Sequence, residues 1–168
     1  MIPRTIKHSR AGTLLLAAAL CCGYVWYLLA INRTDSEFHL VPEGRLQSSP
    51  ESCGFAALAM YLSVQGVQVS EQRIIAHFSR DDWMTFAEMQ EYVHLHGLRG
   101  RGLQIDPSLF LEHSMLSIVH LTEEHYVVYL TDLPGDNGLI FDPGVGYLRI
   151  PVNQLSKRMS GYVFYAHR

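Results

Sequence analysis

Three features of the 168-residue chain predict an α+β fold, with N-terminal helices packed on a mostly antiparallel sheet and one transmembrane helix ahead of both. Apolar positions recur at helical spacing between Cys53 and His96. From Leu103 onward, short runs rich in β-branched and aromatic residues alternate with turns built on Gly and Pro. Residues 13–31 carry no charge. Helices gathered first and strands second belong to an α+β domain rather than to alternating βαβ units.

The chain opens with a basic segment, residues 1–12, holding Arg4, Lys7 and Arg10. The run TLLLAAALCCGYVWYLLAI follows, over residues 13–31. At 1.5 Å per residue it spans about 28 Å, close to the roughly 30 Å of a bilayer core. Tyr24, Trp26 and Tyr27 sit toward its C-terminal half, where an aromatic belt lies. A buried core helix would not explain its position directly after a basic segment. Ala17-Ala18-Ala19 offers a cleavage motif, but the apolar run before it is very short and apolar sequence continues after it. Cys21 and Cys22 invite a lipoprotein reading, against which Leu20 stands where a small residue is expected. An uncleaved signal anchor fits best. The basic excess ahead of it marks the cytoplasmic side. That predicts a single-pass protein of the bacterial inner (plasma) membrane with an extracytoplasmic, periplasmic domain.

Residues 32–46 read as a linker, and 47–168 as the domain; the approach to Cys53 is loop-like, with Ser48-Ser49-Pro50. Phe55, Leu58, Ala59 and Leu62 then fall at the i, i+3, i+4, i+7 spacing of one buried helix face, and Gly66 is a stop. Ser70 caps a second helix to about Phe78. Thr85 and Glu88 have capping-box spacing and open a third, which runs to about His96 and ends at Gly97.

Strands are predicted over 103–105, 115–121, 125–131, 139–141, 147–150 and 162–166. Residues 134–138 and 142–144 are turns between them. Asp106-Pro107 starts a short helix, and 151–160 forms a last one.

Composition narrows the function. Hydrophobic residues make up 48% and charged ones 17%, so the chain has a core and is not disordered. Residues 1–34 hold four of the 13 basic side chains and none of the 16 acidic ones, which leaves residues 35–168 at a net −7. Such a domain is a poor binder of nucleic acid. Two of the three cysteines lie in the apolar run, so the exported part keeps only Cys53 and forms no internal disulfide. A lone exported cysteine is either a small buried hydrophobe or a reactive thiol.

Cys53 stands at the start of the first predicted helix, with Gln47 six residues upstream. His125 opens the segment HYVVYL, and Asp142 ends LIFD before a Pro-Gly turn. A cysteine at a helix N-terminus faces unpaired N–H groups and the positive end of the dipole, which favour thiolate. A histidine on an adjoining strand can move the proton, and a carboxylate on the next strand can hold the other ring nitrogen. A glutamine amide just upstream, with the Cys53 N–H, can donate to an oxyanion. Singly, each of these is a core cysteine, a surface histidine or a turn aspartate. Together, in this order and each at an element boundary, they point to nucleophilic catalysis on an amide.

Gln47 to Leu62, QSSPESCGFAALAMYL, resembles the nucleophile region of the bacteriocin-processing, double-glycine peptidases, which are papain-like cysteine peptidases often found as the N-terminal domain of ABC exporters. The helix-then-Gly segment 84–97, SIVHLTEEHYVVYL around His125, and FDPGVG at Asp142 share the resemblance, which covers roughly residues 45–166. It implies the papain-like fold, with Cys53 as nucleophile, His125 as general base, Asp142 as orienting acid and Gln47 as oxyanion donor. It also implies a substrate with a leader peptide, cut after Gly-Gly or Gly-Ala, whose amphipathic leader helix docks on an apolar patch. The expected partners are such a precursor, the membrane, and a secretion apparatus or ABC exporter. Ser52 stands where this family commonly has Asp. No transporter follows, so a free-standing domain on its own anchor is expected.

The remaining histidines carry no such pattern. His94 and His96 are two apart in a helix and share no face, and His113 and His120 have no matching ligand cluster. No cofactor or metal is expected. Glu123, Glu124, Lys157 and Arg158 read as solvated positions. The function expected is a cysteine endopeptidase maturing a small exported precursor. Two alternatives use the same residues: an inactive domain that only binds leaders, and a papain-like amidase or transferase that differs only in its acyl acceptor.

Overall fold

The computed structural model describes residues 46–112 and 115–168, so the predicted anchor at 13–31, the linker to residue 45 and His113 lie outside the described residues. Among the described residues no helix is long and apolar enough to cross a membrane.

Three helices come first: α1 (Cys53–Val64), α2 (Glu71–Phe78) and α3 (Phe86–Leu95). Their ends follow local chemistry. The Ser70 hydroxyl accepts from the Arg73 N–H at 3.3 Å. Thr85 and Glu88 close the predicted capping box: the Glu88 N–H donates to Thr85 Oγ1 and the Thr85 N–H to Glu88 Oε2. Gly66 and Gly97 take positive φ after their helices, as a C-terminal stop requires.

The sequence predicts one buried face on α1, and here the structure differs. Cys53 to Leu62 are all buried, because α2 and α3 cover the sides of α1 that the sheet leaves open. Tyr61 pins this helix to the last strand, its hydroxyl accepting from the Ala166 N–H at 2.6 Å and donating to the Ala166 carbonyl at 2.9 Å.

Six strands follow: β1 (Arg99–Gln104), β2 (Ser117–Leu121), β3 (Tyr126–Leu133), β4 (Asn137–Asp142), β5 (Gly146–Pro151) and β6 (Met159–His167). They form one antiparallel sheet in the order β1-β6-β2-β3-β4-β5. Two short helices, α4 (Pro107–Glu112) and α5 (Val152–Arg158), join the strands. One sheet face packs on α1–α3 through Ile118, Val128, Phe141 and Phe164. The other packs with α4 and α5 through Phe110, Val119, Val127, Tyr129 and Leu155.

Two strands begin three or more residues earlier than expected. β6 begins at Met159, so the last helix is shorter than 151–160. β1 begins at Arg99 rather than Leu103, because the strand RGRGLQ carries glycines where it faces the core. A Cβ at Gly100 would come within 2.6 Å of both Phe164 and Val93, and one at Gly102 within 3.0 Å of Phe86. The large side chains of α3 and β6 fill the space that β1 leaves. Gly100→Ala should therefore overpack this layer and cost about 1–3 kcal/mol. Chemical denaturation of the variant checks this.

Candidate active site

Residues Pro50–Ser52 form one 3-10 turn that leads directly into α1, so Cys53 is the first residue of the helix. Its side chain is 1% exposed. Gly54 follows where no larger residue fits: a Cβ there would lie 2.8 Å from Met84 Cβ and 3.3 Å from the Tyr126 ring. That close approach brings β3 and the segment before α3 onto the start of α1.

His125 lies one residue ahead of β3, after the turn in which Glu124 takes a φ of 59°. Asp142 is the last residue of β4. The β3–β4 register pairs Val128 with Phe141, which sets the two side chains at the same end of adjacent strands. His125 Nε2 and Asp142 Oδ1 are 2.9 Å apart. Asp142 Oδ1 also accepts the Gly144 N–H at 2.8 Å, which fixes the carboxylate in the turn after β4. With Nε2 on Asp142, Nδ1 is the ring nitrogen left for Cys53.

Burial by itself pushes the His125 ring toward its neutral form. The Asp142 hydrogen bond and then the Cys53 side chain override it and hold the ring up at about 9. The Asp142 carboxyl moves the opposite way: burial would raise it, but His125 and the Gly144 N–H keep it below its usual range. The ring is therefore a cation at neutral pH, held between a carboxylate and the sulfur. The sign of the linkage follows, since the folded ring binds its proton more tightly than the ordinary value of 6.5. The stabilisation is complete below about 6.5 and is lost as pH rises through about 9. Melting temperatures of wild type and Asp142→Asn should therefore converge above that upper value.

Tyr126 is 8% exposed and packs on Phe86 and His120, and its phenol is pushed up to about 12 by burial and then by Cys53. Glu123 pairs with Arg158 at the surface, and the charges of Glu123 and Glu124 act on His120 against the effect of its burial. His120 is turned to Ser160 Oγ, at 2.8 Å. Among the described residues no group of three or more His, Cys, Asp or Glu could hold a metal ion.

Gln47 lies against the turn after β4, its N–H donating to the Pro143 carbonyl at 2.9 Å. Its side-chain nitrogen donates to the Ser49 and Pro50 carbonyls at 3.0 and 3.3 Å, while Oε1 is buried with no partner among the described residues. Exchanging the amide nitrogen and oxygen would set an oxygen against two carbonyls, so this orientation is the stable one. Both amide N–H groups are spent on the turn that precedes Cys53.

Two residues that the sequence did not single out lie against this arrangement. Tyr126 walls the start of α1. Glu71, at the first turn of α2, is buried and accepts from the segment that carries the cysteine. In the sequence it is indistinguishable from an ordinary first-turn acid.

A model of the Peptidase C39 family matches residues 44–168. No curated protein matches. Among solved structures, a double glycine motif protease from an AMS/PCAT transporter, in complex with the leader peptide, superposes with a TM-score of 0.64 at 21% identity, covering 79% of this chain and 94% of that one. The peptidase domain of Streptococcus ComA, a bi-functional ABC transporter involved in quorum sensing, gives 0.63 at 20% identity, covering 72% and 94%. The N-terminal peptidase C39-like domain of a toxin secretion ATP-binding protein from Vibrio parahaemolyticus gives 0.56 at 15%, covering 71% and 99%. At these identities the likeness is one of fold.

Proposed function

The chain belongs to the peptidase C39 family of cysteine peptidases, and from that premise we propose that Cys53, His125 and Asp142 cut the leader from a small exported precursor after a pair of small residues. The observation that supports this most is the His125 ring held by Asp142 at 2.9 Å with Cys53 on its other side.

The Cys53 sulfur attacks the scissile carbonyl carbon, and the carbonyl oxygen becomes an oxyanion at the start of α1. His125 gives its proton to the leaving amine as the C–N bond breaks, which leaves a thioester on Cys53. Water then loses a proton to His125 and attacks the thioester. The leader departs as a carboxylic acid, and the sulfur leaves as thiolate beside the imidazolium that the water proton has restored. Asp142 keeps the ring oriented and stabilises its cationic form. Gln47 serves as an oxyanion donor by releasing the Ser49 and Pro50 carbonyls when substrate arrives.

Leader recognition falls to an apolar groove of about 200 Å³ on the sheet face opposite α1, lined by Leu103, Ile105, Leu109, Phe110, Val163 and Tyr165. Leu109 is 53% exposed there, a large apolar surface open to water. An amphipathic helix with apolar anchors at i, i+3 and i+4 suits such a groove. The double-glycine protease crystallised with its leader peptide supports a leader-bearing substrate. The uncharged run at 13–31, with basic residues ahead of it, supports a membrane anchor and an extracytoplasmic domain working beside a secretion system.

The full-length protein should cleave a peptide whose leader ends in Gly-Gly, and a Gly→Val change just before the cut should lower kcat/KM by about 10²-fold through steric exclusion. Equal cleavage of both peptides would refute the small-residue specificity. Alkaline phosphatase fused after residue 168 should be active if the domain is exported; an inactive fusion would refute the topology.

A further inference from the structure

One buried carboxylate takes no part in that chemistry, yet it lies under the segment that delivers Cys53. Glu71 is the first residue of α2, where side chains are ordinarily solvated, but it is 4% exposed. A carboxylate is buried at high cost unless its oxygens are hydrogen-bonded. Three donors converge on Oε1: the Ser48 N–H at 3.0 Å, the Ser48 hydroxyl at 3.2 Å and the Ser52 hydroxyl at 2.6 Å. The Gln72 amide donates to Oε2 at 3.3 Å. Ser52 is itself fully buried, and its oxygen accepts the Ser49 N–H at 3.0 Å. Residues 48, 49 and 52 thus hang on one oxygen, directly or through one hydroxyl, and Cys53 is the next residue.

Helix capping does not account for this. The cap of α2 is supplied by Ser70, whose hydroxyl accepts from Arg73. The Glu71 side chain is turned away from its own helix, toward a segment 19 to 23 residues upstream. That segment also bears Gln47, whose amide holds the Ser49 and Pro50 carbonyls. The result is a 3-10 turn tied to α2 on one side and to the turn after β4, through the Gln47 N–H, on the other.

We propose that Glu71 is a positioning residue for peptide cleavage: by gathering the donors of residues 48–52 it fixes the turn that aims Cys53 at His125. This rests on the reading of Cys53 as the nucleophile. Misplacement of a reacting group by a fraction of an ångström to an ångström lowers the rate without touching substrate affinity.

The test uses full-length protein with Glu71→Leu, Glu71→Gln and Ser52→Ala. It follows kcat and KM on a Gly-Gly junction peptide, and the rate of Cys53 alkylation by iodoacetamide mapped by mass spectrometry. Glu71→Leu and Ser52→Ala should lower kcat and the alkylation rate together by about 10–100-fold. KM should stay within about 2-fold of wild type. Glu71→Gln keeps an acceptor oxygen and should recover most of both rates. If Glu71→Leu does not fold, Ser52→Ala deletes a single hydroxyl and carries the same test. A Ser52→Ala protein that melts earlier but keeps the wild-type kcat and alkylation rate would overturn the proposal and leave a purely structural contact. A wild-type Cys53 that reacts no faster than free cysteine would instead refute the nucleophile assignment, and this proposal with it.

Discussion

Cys53→Ala should abolish peptide cleavage, with a loss of about 10⁴-fold or more, since nothing else among the proposed groups can form the acyl-enzyme. The fold should survive. The change removes one buried atom of about methylene size, worth about 1 kcal/mol, and Gly54, Met84 and Tyr126 keep their mutual contact. The wild-type protein should be alkylated at Cys53 and the His125→Ala variant more slowly there, because His125 is held beside that sulfur. Site-mapped labelling reads the rate at Cys53. A Cys53→Ala protein that cleaves at the wild-type rate would remove Cys53 from the mechanism.

Asp142→Ala should lower kcat by about 10²–10⁴-fold and leave KM nearly unchanged, because the lost group touches the ring rather than the substrate. It should also narrow the pH profile. In the wild type the imidazolium persists until pH rises through about 9, chiefly because Asp142 overrides burial. Without the carboxylate, burial prevails and the alkaline limb of kcat moves down by more than one pH unit, as the loss of an adjacent opposite charge requires. Asp142→Asn should fall between the two, since its amide oxygen still accepts the Gly144 N–H while the charge is gone. An alkaline limb at the wild-type position in Asp142→Ala would show that something else holds the proton on His125.

Much of this site was legible in the chain because each of its residues sits at an element boundary with local punctuation. Cys53 begins a helix, Asp142 precedes a Pro-Gly turn, and a short turn between β3 and β4 makes their strands neighbours. The capping residues Ser70 and Thr85 were equally readable, since caps are set by residues three positions apart. What escaped is non-local. β1 carries glycines at its core-facing positions, and the apolar volume they need comes from Phe164, Val93 and Phe86 on other elements. The all-round burial of α1 depends on how α2 and α3 fold back. Glu71 acquires its partners only when α2 lies against the turn ahead of Cys53. Gln47 was read from its spacing alone, and spacing does not reveal that its amide is already engaged with Ser49 and Pro50.

The position of β6 carries a consequence for timing. It is the last described strand in chain order, yet it sits between β1 and β2, and its Ala166 backbone both donates to and accepts from the Tyr61 hydroxyl on α1. A chain emerging at about 5–20 residues per second holds residues 53–158 without a place to close the sheet. During that interval β1 has no partner, and Val163 and Phe164 are missing from the two cores. Pairings this distant in sequence close late and slowly. Until residues 159–167 arrive, α1 therefore lacks the Tyr61–Ala166 tie that fixes its C-terminal half to the sheet.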